Sequence, residues 1–399
     1  MTTQINLDFN QMNSLLRRYD KNVSIVNGEA YAEIKKQLAR VCPYQKALFI
    51  FEKSNNRKYE NFISSLENIN VTALTVGLEN KPISVENALP CFAMPDDVRA
   101  VVCLDYCLID YAIYYSHVKK LKLIVVLNSL NLISTLKSRL IIKNGESVDE
   151  TAVNIDSTLI FDRQLLNESQ SSIRDAYECV TSLSLSLLEY RLLRALGVKK
   201  TYREAYEIIK NSILSVYDLT AHDKNIRDEI VAYSALNVSV ANYISGDEIL
   251  SSSTVLACER ANHINNVLDI SIKVLGLSAY AFTEEVVAYK IPDYEVRANF
   301  LLEKFGINPK NSISGFLSSA QLIFKNRKEI EKFFKVNKEE IEGLILSLKK
   351  AKKISNNLLE EKSTKEDELN NGTIKFLGDF SGIINFCTLL REKGLLELI

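Results

Sequence analysis

The chain has 399 residues, a length that favours two domains. Apolar residues make up 47% and charged residues 25%, which is the average composition of a soluble globular protein. Its 49 lysines and arginines offset its 50 aspartates and glutamates, so no bulk field favours nucleic acid or anionic lipid as a partner. Residues 1–10 lack the pattern of a signal peptide and no apolar run approaches the ~20 residues of a membrane span, so we expect a cytoplasmic protein.

Residues 1–165 alternate short β-branched runs with amphipathic stretches, which is typical of a parallel sheet wrapped by helices. The predicted strands are Val23–Val26, Ala47–Phe51, Val71–Val76, Arg99–Leu104, Leu121–Leu127 and Thr158–Phe161. The predicted helices between them are Glu29–Arg40, Tyr59–Glu67 and Leu108–Lys119. Ser138–Ile142, followed by Asn144 and Gly145, predicts a β-hairpin that interrupts the alternation.

Residues 166–399 form a second, helical domain in this interpretation, because their apolar residues recur at spacings of three and four. The predicted helices are Ser172–Ala195, Tyr202–Tyr217, Ile226–Tyr243, Thr254–Leu275, Tyr294–Phe305, Ile313–Phe334, Lys338–Ala351 and Gly382–Leu398. The polar stretch 356–371 is interpreted as a connector. The fold class expected is an α/β Rossmann-like domain followed by an all-α domain.

The numbers and positions of the cysteines and glycines bear on whether the chain has disulfides, a zinc site or a phosphate-binding loop. The 7 cysteines are an odd number and lie mostly in apolar stretches, which favours buried thiols over a disulfide framework or a zinc site. The 13 glycines are about half the usual share of ~7%, and none occurs between Gly77 and Gly145. A glycine-rich phosphate loop is therefore missing from the part of the chain where the strand pattern would put one.

The stretch Val101–Ile113 is the most informative segment, since it joins a predicted strand to a predicted helix. The landmarks from Val98 to Leu165, including this segment, the hairpin and the strand that ends at Asp162, resemble the glycerol-1-phosphate dehydrogenase group. That group belongs to the superfamily of iron-dependent alcohol dehydrogenases and dehydroquinate synthases. The resemblance implies a dehydroquinate synthase-like fold, an NAD(P) cofactor and a Zn²⁺ or Fe²⁺ centre.

The family's phosphate loop is altered in this chain. In the family three consecutive glycines follow the strand, with an aspartate and a lysine further on. Asp110 matches the aspartate, whereas Ile113 replaces the lysine and the glycine positions hold Leu104, Asp105 and Tyr106. Because phosphate must approach backbone N–H groups at a helix N-terminus, side chains there would oppose a dinucleotide in the usual pose.

Two other positions bear on nucleotide binding. A Pro-Thr pair ends the next strand in the family, and Leu127 and Asn128 replace it here. Glu52 ends the second predicted strand, where the family has an acidic residue that contacts the adenine ribose. Glu52 and Asp110 are therefore the candidate cofactor-binding residues, although an acidic residue at a strand end is common in any α/β protein.

The resemblance also locates a metal centre built in the family from one aspartate and two histidines. Asp175 matches the aspartate, Arg260 falls at the first histidine and Leu275 at the second. His263 lies close enough to Arg260 in sequence that the two could exchange roles. We expect Asp175 and Arg260 to form an ion pair in place of a metal, with a site built from Asp175 and His263 as the alternative.

Two functions remain open. The first is a non-catalytic member of the family, without cofactor, that serves as a binding or assembly partner in a homo- or hetero-oligomer with a related protein. The second is an oxidoreductase-like enzyme acting on a phosphorylated or polyhydroxy small molecule, either with NAD(P) and Zn or Fe or by a metal-independent mechanism. Its cleft candidates are Asp105, Asp110, Asn128 and Arg260.

Overall fold

The computed structural model describes residues 8–81, 83–144, 147–167, 173–217, 219, 223–251, 267–268, 271–272, 275–276 and 326–358. Its contacts divide the chain into two compact units. The first unit contains Met1–Ser171 and His222–Gly246, and the second contains Ser172–Ala221 and Asp247–Ile399. The sequence interpretation assigns the whole of 166–399 to one helical domain, whereas His222–Gly246 groups with the α/β unit.

The first unit is built on a parallel sheet of six strands, which are β1 (Val23–Asn27), β2 (Lys46–Glu52), β3 (Thr72–Leu78), β4 (Val98–Cys103), β5 (Lys122–Leu127) and β8 (Ser157–Phe161). Their order across the sheet is β1-β8-β5-β4-β2-β3. The central strands are buried along nearly their whole length, which explains their continuous apolar runs. All six predicted strands are present, with boundaries shifted by one or two residues.

Seven helices surround this sheet in the described part of the first unit. They are α1 (Phe9–Arg18), α2 (Ala30–Val41), α3 (Asn56–Ser64), α4 (Val85–Phe92), α5 (Ile109–Lys119), α6 (Arg163–Asn167) and α9 (Lys224–Ile244). A core of apolar side chains from β2, β4, β5 and β8 packs under α2 and α3. The predicted hairpin is present as β6 (Arg139–Asn144) paired antiparallel with β7 (Ser147–Ala152).

The sequence interpretation missed α1 and α4. Phe9–Arg18 is mostly polar outside Met12, Leu15 and Leu16, but a capping box between Asp8 and Gln11 begins the helix and was the available signal. Val85–Phe92 is only 8 residues long and contains Pro90, which ordinarily argues against a helix.

The second unit is helical in its described residues. Its helices are α7 (Ile173–Ala195), α8 (Arg203–Val216), α10 (Arg327–Val336) and α11 (Lys338–Asn357). Helix α11 extends past the predicted end at Ala351 and includes Asn356 and Asn357, so the predicted connector does not begin at 356. The rest of the connector and the predicted helices Tyr294–Phe305 and Gly382–Leu398 lie outside the described residues, as does most of Thr254–Leu275. No helix among the described residues is long and apolar enough to cross a membrane.

A candidate site at the carboxyl edge of the parallel sheet

The order of the strands defines where a ligand site would be expected. From β2 the chain proceeds outward to β3, and from β4 it proceeds in the opposite direction to β5, so β2 and β4 flank the point where the strand order reverses. In open parallel sheets ligands bind in the crevice outside the carboxyl ends of such strands. The candidate site is therefore the region formed by the residues that follow β2 and β4.

Asp105, two residues beyond β4, joins the two sides of this crevice. Its side chain is buried and accepts hydrogen bonds from the Glu52 backbone N–H at 2.7 Å and from Asn55 Nδ2 at 3.1 Å. The Tyr59 hydroxyl donates to the other carboxylate oxygen at 2.5 Å. The switch point is the place between β2 and β4 where the strand order reverses. The negative charge of Asp105 there is satisfied by hydrogen-bond donors of the same chain, from the end of β2, from Asn55 and from α3.

Tyr59 is held in the donating form by this environment. Burial, and next the nearby Asp105 carboxylate, raise the pKa of Tyr59 above its ordinary value. The hydroxyl proton is therefore retained throughout the range in which the protein works, and the contact with Asp105 persists. Sequence reasoning missed Tyr59 and Asn55, because no local pattern links them to a residue about fifty positions further along the chain.

Asn128, which follows β5, holds the other side of the loop after β4. Its Oδ1 accepts from the Tyr106 backbone N–H at 2.9 Å, and its Nδ2 donates to the Leu104 carbonyl at 2.9 Å. The Leu108 N–H donates to the Asp105 carbonyl at 3.0 Å and the Leu104 N–H to the Ile50 carbonyl at 2.9 Å. Three backbone donors of the loop therefore have acceptors inside the protein.

We expect Asn128→Ala to lower the free energy of unfolding by about 2–3 kcal/mol, because it leaves the Tyr106 N–H and the Leu104 carbonyl without their partner. Urea unfolding followed by circular dichroism measures the change. Asn154→Ala is the matched control, since Asn154 is exposed and an exposed substitution costs ~0.5 kcal/mol or less. Equal midpoints for the two variants would contradict the structural role of Asn128.

The segment after Asn128 is tied to the first turn of α5. The Tyr106 hydroxyl and Thr135 Oγ1 lie 3.0 Å apart, and Lys137 forms an ion pair with Asp110. The Leu136 N–H donates to Ser239 Oγ of α9 at 2.7 Å. Asp110, predicted as a nucleotide contact, forms this ion pair with a lysine that the sequence analysis did not single out, and its role toward a nucleotide stays a prediction.

The two cysteines flanking this loop are poor nucleophiles. Cys107 is exposed at its surface, but partial desolvation, followed by Asp105 and Glu52, raises the pKa of its thiol to about 12. Cys103 is buried, and burial raises the pKa of its thiol well above its usual range. The Cys107 thiol lies 3.9 Å from Glu52 Oε2, and the Cys103 thiol donates to the Asp105 carbonyl at 3.2 Å. Both thiols stay protonated near neutral pH, so neither is present as the thiolate through which a cysteine acts as a nucleophile.

A second helix N-terminus at the same edge is also occupied by carboxylates. Glu29 accepts from the N–H groups of Tyr31 at 3.0 Å and Ala32 at 2.6 Å. Asp162, which follows β8, accepts from the Ala30 N–H at 2.8 Å. The first turn of α2, where an anion would bind most readily, is thus filled by two anions of the chain itself.

The residues predicted for the metal centre are only partly described. Asp175 lies exposed in the first turn of α7, and Leu275 is fully buried. Arg260 and His263 lie outside the described residues, so the predicted ion pair between Asp175 and Arg260 stays a prediction. Within the described ranges no group of three His, Cys, Asp or Glu side chains is arranged to hold a metal ion.

Comparison with solved structures identifies the fold. An archaeal halo-thermophilic alcohol dehydrogenase from a Red Sea brine pool, solved as a point mutant, superposes with a TM-score of 0.52 at 14% identity, covering 92% of this chain and 97% of that one. The iron-containing alcohol dehydrogenase of Thermococcus thioreducens has a TM-score of 0.50 at 14% identity, with coverages of 93% and 99%. The chain has the fold of the iron-containing alcohol dehydrogenases.

This fold agrees with the expectation of an α/β Rossmann-like domain followed by a helical region. No protein-family model matches the sequence, and no curated protein matches it. At 14% identity the superpositions establish the fold alone, so the activity has to be argued from the site.

Proposed function

We propose that this protein is a non-catalytic relative of the glycerol-1-phosphate dehydrogenase group that acts as a binding or assembly partner. The observation that carries the proposal is the occupied switch point between β2 and β4. There the Asp105 carboxylate takes the hydrogen bonds of Glu52, Asn55 and Tyr59, and Asn128 takes the Tyr106 N–H. The groups that would cradle a phosphate already have partners.

A dinucleotide does not fit this arrangement. Its pyrophosphate would need the N–H groups of the loop after β4, and it would approach the buried carboxylate of Asp105. Two anions at close range in a site of low dielectric repel strongly, and breaking the existing contacts would leave buried polar groups unsatisfied. Leu104, only 1% exposed, adds a side chain where the family has the hydrogen atom of a glycine.

The second domain supports the same proposal through residue chemistry. Leu275 matches the family's second histidine and is buried, and a leucine has no lone pair to offer a metal. Asp175 alone among the matched ligand positions keeps a coordinating group in this reading. We therefore propose that the ordinary Lewis-acid step of the family does not operate in this chain.

The enzyme alternative needs Asp105, Asp110 and Asn128 available to a ligand. Asp105 is bound by three donors, Asp110 by Lys137, and Asn128 by the loop backbone on both sides of its amide. The buried carboxylate of Asp105 and the amide of Asn128 would have to give up contacts before a small molecule could use them, whereas the side chain of Asp110 is 39% exposed. The contacts favour the non-catalytic function over the alternative.

A thermal-shift series with NAD⁺, NADP⁺, Zn²⁺, Fe²⁺ and dihydroxyacetone phosphate tests the proposal. We expect no change of the melting temperature with any of them and no oxidation of glycerol 1-phosphate. A ligand present at ~100 times its Kd adds about 2.7 kcal/mol of stability, which such a series detects readily. A clear shift with NAD⁺ or NADP⁺, or measurable turnover, would overturn the proposal and favour the dehydrogenase.

A further inference from the structure

The six-stranded sheet has two edge strands, β1 and β3, which differ in whether their outward-facing backbone groups have hydrogen-bond partners. At the β1 edge, Asn13 of α1 donates from Nδ2 to the Ile25 carbonyl at 2.7 Å and accepts from the Ile25 N–H at 2.7 Å. A side-chain amide thus takes the place of a neighbouring strand in the middle of β1. An edge closed in this way offers little to another chain.

Among the described residues, the β3 edge presents backbone groups without a hydrogen-bond partner. The Thr72 N–H donates to the Gln45 carbonyl, and β3 keeps a regular parallel register with β2 from Lys46↔Thr72 to Glu52↔Leu78. Since backbone groups alternate in direction along a strand, those of Ala73, Thr75 and Gly77 face away from β2. In the described residues no hydrogen bond reaches the backbone of these three, and Thr75 and Gly77 are exposed.

The sequence of β3 lacks the features that normally protect an edge. Thr72–Leu78 contains no charged residue and no proline, and its pairing with β2 has no bulge. The next helix, α4, contacts β3 and exposes Val85 and Leu89, which are one turn apart on the same helix face. Leu89 is 58% exposed, so a helix in contact with β3 carries exposed apolar surface.

We propose that β3 is a self-association edge, at which a second copy of this chain pairs its own β3 antiparallel across a twofold axis. Thr75 would face Thr75, and Ala73 would face Gly77, so the two strands bring no like charges together. The formal net charge of −1 gives two copies almost no long-range repulsion. The pairing would join the two sheets into one continuous sheet through the backbone groups of Ala73, Thr75 and Gly77.

Thr75→Pro is the most selective test, because the N–H it removes faces the open edge and takes no part in the pairing with β2. Thr75→Lys is the second variant, since it puts two like charges opposite each other at the twofold axis. Thr75→Val is the matched control, because it keeps the N–H and the β-branched shape. Circular dichroism establishes that each variant is folded before its mass is measured.

Sedimentation velocity of the full chain gives the readout. We expect the wild type and Thr75→Val to sediment with twice the 45.2 kDa mass of one chain, and Thr75→Pro and Thr75→Lys to sediment with that mass. If Thr75→Pro does not fold, Thr75→Lys decides the question. A monomeric wild type would overturn the proposal, because two copies of the chain would then not associate. A Thr75→Lys variant that is folded and still dimeric would also overturn it, because the dimer would then form through another surface.

Discussion

Replacing Asp105 with alanine is expected to lower the free energy of unfolding by about 3–4 kcal/mol, the sum of two or three hydrogen-bonding groups left buried without a partner. The substitution removes the acceptor of the Glu52 N–H, of Asn55 Nδ2 and of the Tyr59 hydroxyl. Urea denaturation at neutral pH measures it. A loss this large from one loop position would establish that the loop after β4 is held as part of the core.

Two controls separate the charge of Asp105 from the space it fills. Tyr59→Phe removes one donor and leaves the carboxylate two others, so it is expected to cost only about 1 kcal/mol. Asp105→Asn keeps the shape and one acceptor oxygen but turns a donor toward the other partners, so its cost should lie between those of Tyr59→Phe and Asp105→Ala. If Asp105→Ala and Tyr59→Phe cost the same, the carboxylate does not organise the loop in the way the hydrogen bonds indicate.

The strands of this fold could be predicted because each is a short β-branched or apolar run bounded by polar residues. Val23–Asn27 and Ser157–Phe161 pair as neighbours although the paired residues are 134 positions apart, and no local pattern encodes that pairing. The prediction of a parallel sheet rested on the alternation of strands with helices, whereas the strand order emerged only in the structure. That order is what makes the ends of β2 and β4 a switch point.

The candidate site was predictable as a set of positions and unpredictable as a set of contacts. Glu52 ends a strand and Asp105 and Asn128 follow strands, and parallel strands bring their carboxyl ends to one edge. Their partners come from elements whose packing no periodicity fixes: Tyr59 from α3 and the Leu104 carbonyl from the turn itself. The sequence analysis predicted that Asp105 would oppose a pyrophosphate, and the structure adds that the carboxylate already has its own donors.

The end of α11 illustrates the same limit in the second unit. The sequence predicts a helix that ends at Ala351 and a connector at 356–371, but Ile354 and Ser355 are buried and the helix continues to Asn357. The reason lies on another helix, since Ser355 Oγ donates to Glu178 of α7. A serine in a polar stretch is ordinarily solvated, and only the packing of α11 on α7 reveals that this one is part of a buried polar cluster.

That cluster carries the second large prediction. Glu178 of α7 is 5% exposed in its side chain and accepts from Arg174 Nε at 2.9 Å, while Arg174 Nε also lies 3.1 Å from Ser355 Oγ. We expect Arg174→Ala to cost about 3 kcal/mol at pH 7, because it leaves a buried carboxylate without its counter-ion. Arg139→Ala, which breaks an exposed ion pair with Glu150, is the control and should cost less than ~1 kcal/mol.

The pH dependence of the stability lost in Arg174→Ala identifies the physical origin of that loss. Burial raises the pKa of Glu178 above its ordinary value of 4.5, and Arg174 and Ser355 oppose the rise, so removing Arg174 raises the pKa of Glu178 further. A carboxyl group with a raised pKa in the folded state binds more protons folded than unfolded, so its contribution to stability falls as the pH increases from the unfolded pKa to the folded one. The cost of Arg174→Ala should therefore be largest at neutral pH and shrink as the pH approaches 4.5, where Glu178 is protonated in the folded variant and needs no counter-ion. Unfolding curves measured at several pH values give the cost of Arg174→Ala as a function of pH. A cost that disappears on acidification would mean that Arg174 neutralises Glu178. A cost independent of pH would mean that Arg174 acts through packing of its side chain.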